Sequence, residues 1–350
     1  MINLPNRRRV ITARAVQCNE RFHVVISHFP NPLKFIGIVF LIALSAVAAP
    51  HAFAQEPVRG DKIVRNDGRA FEIKNSPRTY SPSKSVTIDP RQLVNQTVPT
   101  RQLLQFNALP NSIIVTSAPS PESVIGADGR TRVGDTTVFP YSAIVELEID
   151  FPYGSVLCSG WMIGPDTVAT AAHCLYYSGL GGWAQNVMAY PGRDGTLAPF
   201  GSVAGLNWNV RQKWIDTQGP RHDYGVIKLS SPIGDTVGYF GYEYNARSPF
   251  FIGKPVTVSG YPGDKYNAEA YTQWQMAGTI AKAHKRRLFY TIDTFGGQSG
   301  SPLFGRWVRK DCDPCAFGIH TYGVGGNWDM NSATRITRPV FNFMQSAAAP

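Results

Sequence analysis

Gly296-Gly297-Gln298-Ser299-Gly300-Ser301-Pro302 joins a nucleophile to a backbone able to hold an anion. Glycines on both sides of Ser299 let the chain take positive φ and turn successive N–H groups to one side, as a cradle for a developing oxyanion requires. Ser299 is the candidate nucleophile. A serine in a glycine turn is ordinary turn chemistry unless the chain also supplies a base and an acid.

Both are present. Thr170-Ala171-Ala172-His173-Cys174 offers the base, and His222-Asp223-Tyr224-Gly225-Val226-Ile227-Lys228-Leu229 offers a carboxylate at the mouth of an apolar strand. The order His173, Asp223, Ser299, with the residues around each, resembles the chymotrypsin-like serine proteases. The resemblance implies that His173 takes the Ser299 proton, that Asp223 orients the imidazole, and that the amides of Gly297 and Ser299 form the oxyanion hole. His222 and His284 match no partner and are read as solvated surface residues.

From Ser123 onward the chain is built of short apolar runs punctuated by Gly, Pro, Asn and Asp. Ala143–Ile149, Val156–Ile163, Val168–Ala171, Val187–Tyr190, Gly225–Leu229, Pro255–Ser259, Gln273–Ile280, Leu288–Ile292, Pro302–Phe304, Ala316–His320 and Thr334–Ile336 are the strand candidates, so the class is all-β. Val340, Phe341, Phe343 and Met344 after Pro339 give a helical pattern at the end. The resemblance makes this a chymotrypsin-like double β-barrel, two six-stranded antiparallel barrels and a C-terminal helix with the site in the cleft. It places the N-terminal barrel at 123–238 and the C-terminal barrel with the helix at 239–350.

The first 122 residues read differently. Arg7, Arg8, Arg9 and Lys34 precede an uncharged apolar run from Phe35 to Ala49, and Ala52-Phe53-Ala54 offers small residues for signal cleavage. Residues 1–54 are expected to be an export signal with a long leader; a membrane anchor is the competing reading, though the run is shorter than the roughly 20 apolar residues of a spanning helix. Residues 55–122 are rich in Pro, Ser, Asn, Thr and Arg and lack the periodicity to bury a core alone, as a propeptide or a linker would. The chemistry downstream favours a propeptide.

Charge and cysteine usage follow the same division. Residues 1–122 hold 15 Lys/Arg and 7 Asp/Glu, which is +8 of the formal +10, so only +2 falls on the remaining 228 residues. A nucleic-acid footprint would concentrate basic residues on the folded part, so no nucleic-acid partner is expected. Cys18 precedes the signal core, leaving Cys158, Cys174, Cys312 and Cys315 as an even set in the exported part. A Cys158–Cys174 bridge would pin the His173 turn to its neighbouring strand and matches the family pattern. Cys312-Asp313-Pro314-Cys315 suits a short disulfide loop better than half a zinc site, since no second cysteine pair completes the metal set.

The chain from Ser123 to the terminal helix further resembles the bacterial glutamyl endopeptidases, the V8-like branch, and most closely their Bacillus members. Ser123-Val124-Ile125-Gly126, Gly160-Trp161-Met162-Ile163-Gly164-Pro165, Thr167–Cys174, Ser259-Gly260-Tyr261-Pro262-Gly263-Asp264-Lys265 and Asp293–Pro302 carry the likeness. Gln298 departs from trypsin-like zymogens, which keep an aspartate there to pair with the new amino terminus. The resemblance implies a secreted serine endopeptidase made as a zymogen, cutting after Glu and less readily Asp, with Thr294 and His320 on the S1 walls as donors to a P1 carboxylate. It implies protein or peptide substrates, a monomer, no cofactor and no metal, and no stable membrane association after processing; structural calcium is left open.

Other readings stay beside this one. Asp293, six residues before Ser299, is where trypsin-like enzymes keep the acid for Arg or Lys at P1, so a basic preference is the alternative. Lys282, Lys285, Arg286 and Arg287 form a basic cluster that either draws acidic substrates or marks a solvated hairpin tip. A noncatalytic exported binding protein would show degenerate catalytic positions, and none is degenerate; a lipase elbow would have a Gly two residues on each side of its serine and another triad order. An enzyme cutting after Glu could release its own terminus at Glu122–Ser123.

Overall fold

Two curled, mainly antiparallel sheets carry the fold, as short strands with one apolar face each must pack against a partner sheet. The computed structural model describes residues 61–99, 123–265, 269–307, 309–325 and 328–349. Cys18, the apolar run at 35–49 and Glu122 lie outside the described residues. Among the described residues no helix is long and apolar enough to cross a membrane.

The first sheet closes on itself. Its order is Asn186–Pro191, Ile144–Phe151, Gly154–Gly164, Thr167–Thr170, Gly225–Leu229, Val203–Arg211, and back to Asn186–Pro191. Leu147 faces Cys158 and Ile149 faces Val156 in register, and all four are buried in the core. Glu146 and Glu148 alternate with them on the other face. They are buried too, because Arg193 Nη1 donates to both, at 3.0 and 2.8 Å. Tyr271 and Tyr190 cover the guanidinium at 4.0 and 4.7 Å.

Val203–Arg211 was not legible as a strand. Its first half, Val203-Ala204-Gly205-Leu206-Asn207, is broken by a glycine and does not alternate apolar with polar residues, and its register shifts between Gly205 and Asn207 where it bends to serve both neighbours.

The second sheet runs through Lys282–Ala283, Arg287–Tyr290, Asn331–Arg335, Cys315–Tyr322, Pro302–Gly305, Pro255–Gly260, Trp274–Thr279 and Thr131–Arg132. Its chymotrypsin-like character is as expected, but among the described residues the path stays open, giving a half-barrel beside a closed six-stranded barrel. The two-residue strand Lys282–Ala283 is too short to carry a closing ladder.

Two segments cross from one barrel to the other. Thr131–Arg132, counted with the N-terminal barrel, pairs with Trp274–Gln275 of the second sheet. The helix Arg338–Ala348, counted with the C-terminal barrel, packs on the first. Pro339 sits in its first turn, where a missing amide costs nothing, and Val340, Phe341, Phe343, Met344 and Ala347 are buried. Phe343 meets Tyr224 edge-on at 5.0 Å, next to Asp223 in sequence, so the last helix props the strand that carries the acid. Both disulfides are formed, Cys158–Cys174 and Cys312–Cys315.

Candidate active site

His173 sits in the 3₁₀ turn Ala172–Cys174 directly after strand Thr167–Thr170, and the bridge to Cys158 ties that turn to strand Gly154–Gly164. Asp223 follows the short turn Pro220–His222 and precedes strand Gly225–Leu229. Ser299 comes from the loop before strand Pro302–Gly305 of the second sheet. The fold brings all three together. His173 Nε2 is 2.7 Å from Ser299 Oγ, and His173 Nδ1 is 2.7 Å from Asp223 Oδ2. The His173 amide also donates to Asp223 Oδ1 at 3.0 Å, which fixes the carboxylate against rotation.

Burial alone would push the Asp223 carboxyl up. The His173 imidazole, its hydrogen bonds, and one from Tyr322 outweigh that, and the group ends below its ordinary value. An ionised acid behind the imidazole selects the Nδ1–H tautomer, leaving Nε2 to accept the serine proton.

The turn around Ser299 is held from several sides. Gly297 and Gly300 take φ of +106° and +91°, and a Cβ on Gly300 would lie 2.1 Å from the Ser159 carbonyl oxygen. Ser159 Oγ donates to the Gly297 carbonyl at 2.8 Å, and the Ser159 amide donates to that of Ser299 at 2.8 Å. Gln298 uses its side chain inside the turn, where Oε1 accepts from the Phe295 amide at 3.0 Å. That hydrogen bond holds the loop without an ion pair.

His320 and Thr294 are both buried on the second sheet's side of the cleft. The Tyr290 hydroxyl is 2.6 Å from His320 Nδ1. Burial first, then the charges of Arg287 and His173, push His320 down to about 3, against a backbone hydrogen bond to Ser332. The ring is neutral at neutral pH, and the tautomer in which Tyr290 donates to Nδ1 places the proton on Nε2. Thr294 Oγ1 is buried and has no hydrogen-bond partner among the described residues.

Asp293 is placed otherwise than a pocket-facing acid would be. Its Oδ1 accepts from the Ile125 amide at 2.7 Å and its Oδ2 from the Gly129 amide at 2.8 Å. Ser123 continues the same docking: its carbonyl accepts from the Thr294 amide at 3.2 Å and from Asn331 Nδ2 at 2.6 Å, while its own amide donates to Asn331 Oδ1 at 3.2 Å.

Two readings of single residues are corrected. His222 is buried, with Nδ1 3.2 Å from Arg211 Nη1, and burial followed by nearby cations pushes it down to about 4. Arg287 leaves the exposed basic cluster. Its Nη2 donates to Thr321 Oγ1 at 3.1 Å and Ser332 Oγ at 2.6 Å, and its Nη1 to the Pro220 carbonyl at 3.1 Å. The rings of Tyr322 and Trp328 cover it at 4.7 and 4.6 Å, and burial pushes it down to about 10. Tyr322, Tyr290 and Ser159 were also missed. Only Tyr322 gave a signal, standing two residues after His320 in one strand.

The residues 130–345 match the model of the trypsin family. The chain belongs to the trypsin family. It is a serine endopeptidase. A glutamyl endopeptidase of Bacillus licheniformis is 49% identical over 225 residues, covering 64% of this chain and 68% of that protein. A Bacillus subtilis protein named extracellular metalloprotease is 41% identical over 228 residues, covering 64% and 69%. Among the described residues the cluster with metal-ligand spacing is Cys158, His173 and Cys174, and its sulfurs are already joined in the disulfide. A solved structure of a Glu endopeptidase in complex with MPD superposes with a TM-score of 0.57 at 33% identity, covering 65% of this chain and all of that one.

Proposed function

We propose that this trypsin-family endopeptidase cuts after Glu, and less readily after Asp, and that it is exported as a zymogen with a signal at 1–54, a propeptide at 55–122 and a mature part from Ser123. His173 accepts the Ser299 proton as Oγ attacks the scissile carbonyl, and the oxyanion settles against the amides of Gly297 and Ser299. The amides of Gln298 and Gly300 support this alternation, being turned to the carbonyls of Phe295 and His320 at 2.9 and 2.7 Å. His173 then gives the proton to the leaving amine, and water resolves the acyl-enzyme by the same path in reverse.

The observation that carries the Glu preference is the buried Thr294 hydroxyl, which has no hydrogen-bond partner among the described residues; the buried, neutral His320 supports it. A buried donor left unpaired is costly, so the pocket is completed by an acceptor. Asp293 supports the same choice against Arg or Lys at P1, because its carboxylate is engaged by backbone amides. Substrates are proteins or peptides; export fits the relative named as extracellular, and the activated serine supplies the nucleophile without a cofactor. Profiling a peptide library with Glu, Asp, Arg, Lys and Leu at P1 tests the preference, and efficient cleavage after Arg or Lys would overturn it.

Cleavage at Glu122–Ser123 would turn the Ser123 amide nitrogen, which donates to Asn331 Oδ1, into an ammonium, while the Ser123 carbonyl already accepts from the Thr294 amide. N-terminal sequencing of the secreted Ser299→Ala variant tests self-processing; a Ser123 start in that variant would assign the cut to another protease.

A further inference from the structure

The stretch 61–99 has too little apolar periodicity for a core of its own, yet it is well built into the fold by using the cores of others. Lys62–Arg65 pairs antiparallel with strand Val203–Arg211, with Ile63 opposite Arg211 and Val64 opposite Val210. Ala70–Glu72 adds a further strand outside it. Ile63 is fully buried in the main core, and Asp61 pairs with Arg211, which also donates to the Tyr224 hydroxyl at 2.8 Å.

The segment then crosses the terminal helix, where the amides of Lys74 and Ser76 donate to Ser346 Oγ at 2.9 Å and Asn342 Oδ1 at 3.1 Å. Tyr80–Ser81 adds a strand to Gly241–Glu243 of the second sheet. Ser83 donates its amide to the Asp311 carbonyl at 2.9 Å, and its hydroxyl bonds the Asp313 carbonyl at 3.1 Å, holding the Cys312–Cys315 loop. Lys84 exchanges backbone hydrogen bonds with Tyr239 in both directions. At the far end Gln96–Thr97 pairs with Leu197–Ala198, and Val98 packs with Tyr190 and Ala198.

We propose that residues 61–99 remain bound as a noncovalent second chain after the cut at Glu122–Ser123, strapping the closed barrel, the terminal helix and the half-barrel together. The inference rests on the proposed processing. Scission removes a covalent tether and none of these contacts. Leaving would expose the edge of Val203–Arg211 and a hole where Ile63 sat, and strand addition of this kind holds through main-chain hydrogen bonds irrespective of sequence. Because the contacts sit on one chain, each holds the others at high effective concentration, and release requires all to open together.

The test uses Glu56–Pro350 with Ser299→Ala and an affinity tag ahead of Glu56, nicked by a trace of active enzyme. N-terminal sequencing locates the cut, and the nicked protein is loaded on tag resin and washed at physiological salt. The catalytic fragment is expected to elute with the tagged segment in equal amounts. Its appearance in the wash, with the tagged segment on the resin, overturns the proposal. A cut elsewhere within 100–122 refutes the Ser123 site while still reading retention, so the two failures are distinguishable. Val98→Asp, in a small cluster apart from the main core, is expected to shorten the half-life of the nicked complex at least tenfold; an unchanged half-life counts against docking at that end.

Discussion

The Ile125 amide donates to Oδ1 of Asp293 at 2.7 Å, so this carboxylate fastens the start of the proposed mature chain. The Gly129 amide takes the other oxygen at 2.8 Å. Asp293→Asn replaces one acceptor by an N–H that faces a donor. The expected result is a loss of about 1.5–3 kcal/mol in unfolding free energy, the range for hydrogen bonds to a charged group, read by denaturant titration. Cleavage after Arg or Lys should be negligible before and after the change.

Thr294→Val keeps shape and removes the hydroxyl. If that hydroxyl serves a P1 carboxylate, kcat/KM for a Glu substrate should fall about 10- to 100-fold, while a Leu substrate changes little. Equal loss on both substrates would mean a displaced wall rather than a lost donor.

Ser299→Ala should lower kcat by about 10⁴-fold or more and abolish fluorophosphonate labelling, with thermal stability retained. Retained turnover would remove the serine mechanism.

Arg287 and Tyr322 hold the acid from behind. Tyr322 hydrogen-bonds Asp223, and the Arg287 guanidinium lies 4.7 Å from the Tyr322 ring while bonding the Pro220 carbonyl ahead of Asp223. Arg287→Met should lower kcat by up to about 10²-fold, as a misplacement of an ångström does, with KM nearly unchanged. Arg287→Lys should recover only part, because an ammonium cannot make the forked contacts.

His320 gives a pH dependence of stability. Its folded pKa, pushed down to about 3 by burial and by Arg287, lies below the ordinary 6.5, so below pH 6.5 the unfolded chain binds a proton that the folded one does not. The contribution is complete above pH 6.5 and is lost as pH falls toward 3, with a slope approaching about 1.4 kcal/mol per pH unit. Urea titrations between pH 4 and 7 should show this slope, reduced in a His320→Gln variant that still folds.

The motifs around His173, Asp223 and Ser299 determined the class of chemistry by themselves, because an activated serine requires particular side chains in particular turns. Short apolar runs likewise determined an all-β fold. What the sequence left undecided depended on direction rather than identity. Asp293 reads as a pocket acid until the backbone of 125–129 is seen taking its two oxygens. Arg287 reads as hairpin charge until Thr334 and Ser332 across the sheet place its side chain against Tyr322. Residues 61–99 read as coreless, since local periodicity cannot register a strand that completes a distant sheet. Only the tertiary structure decides such cases, because burial and pairing are set by neighbours far away in the chain, 45 residues for Arg287 and Ser332 and 168 for Asp293 and Ile125.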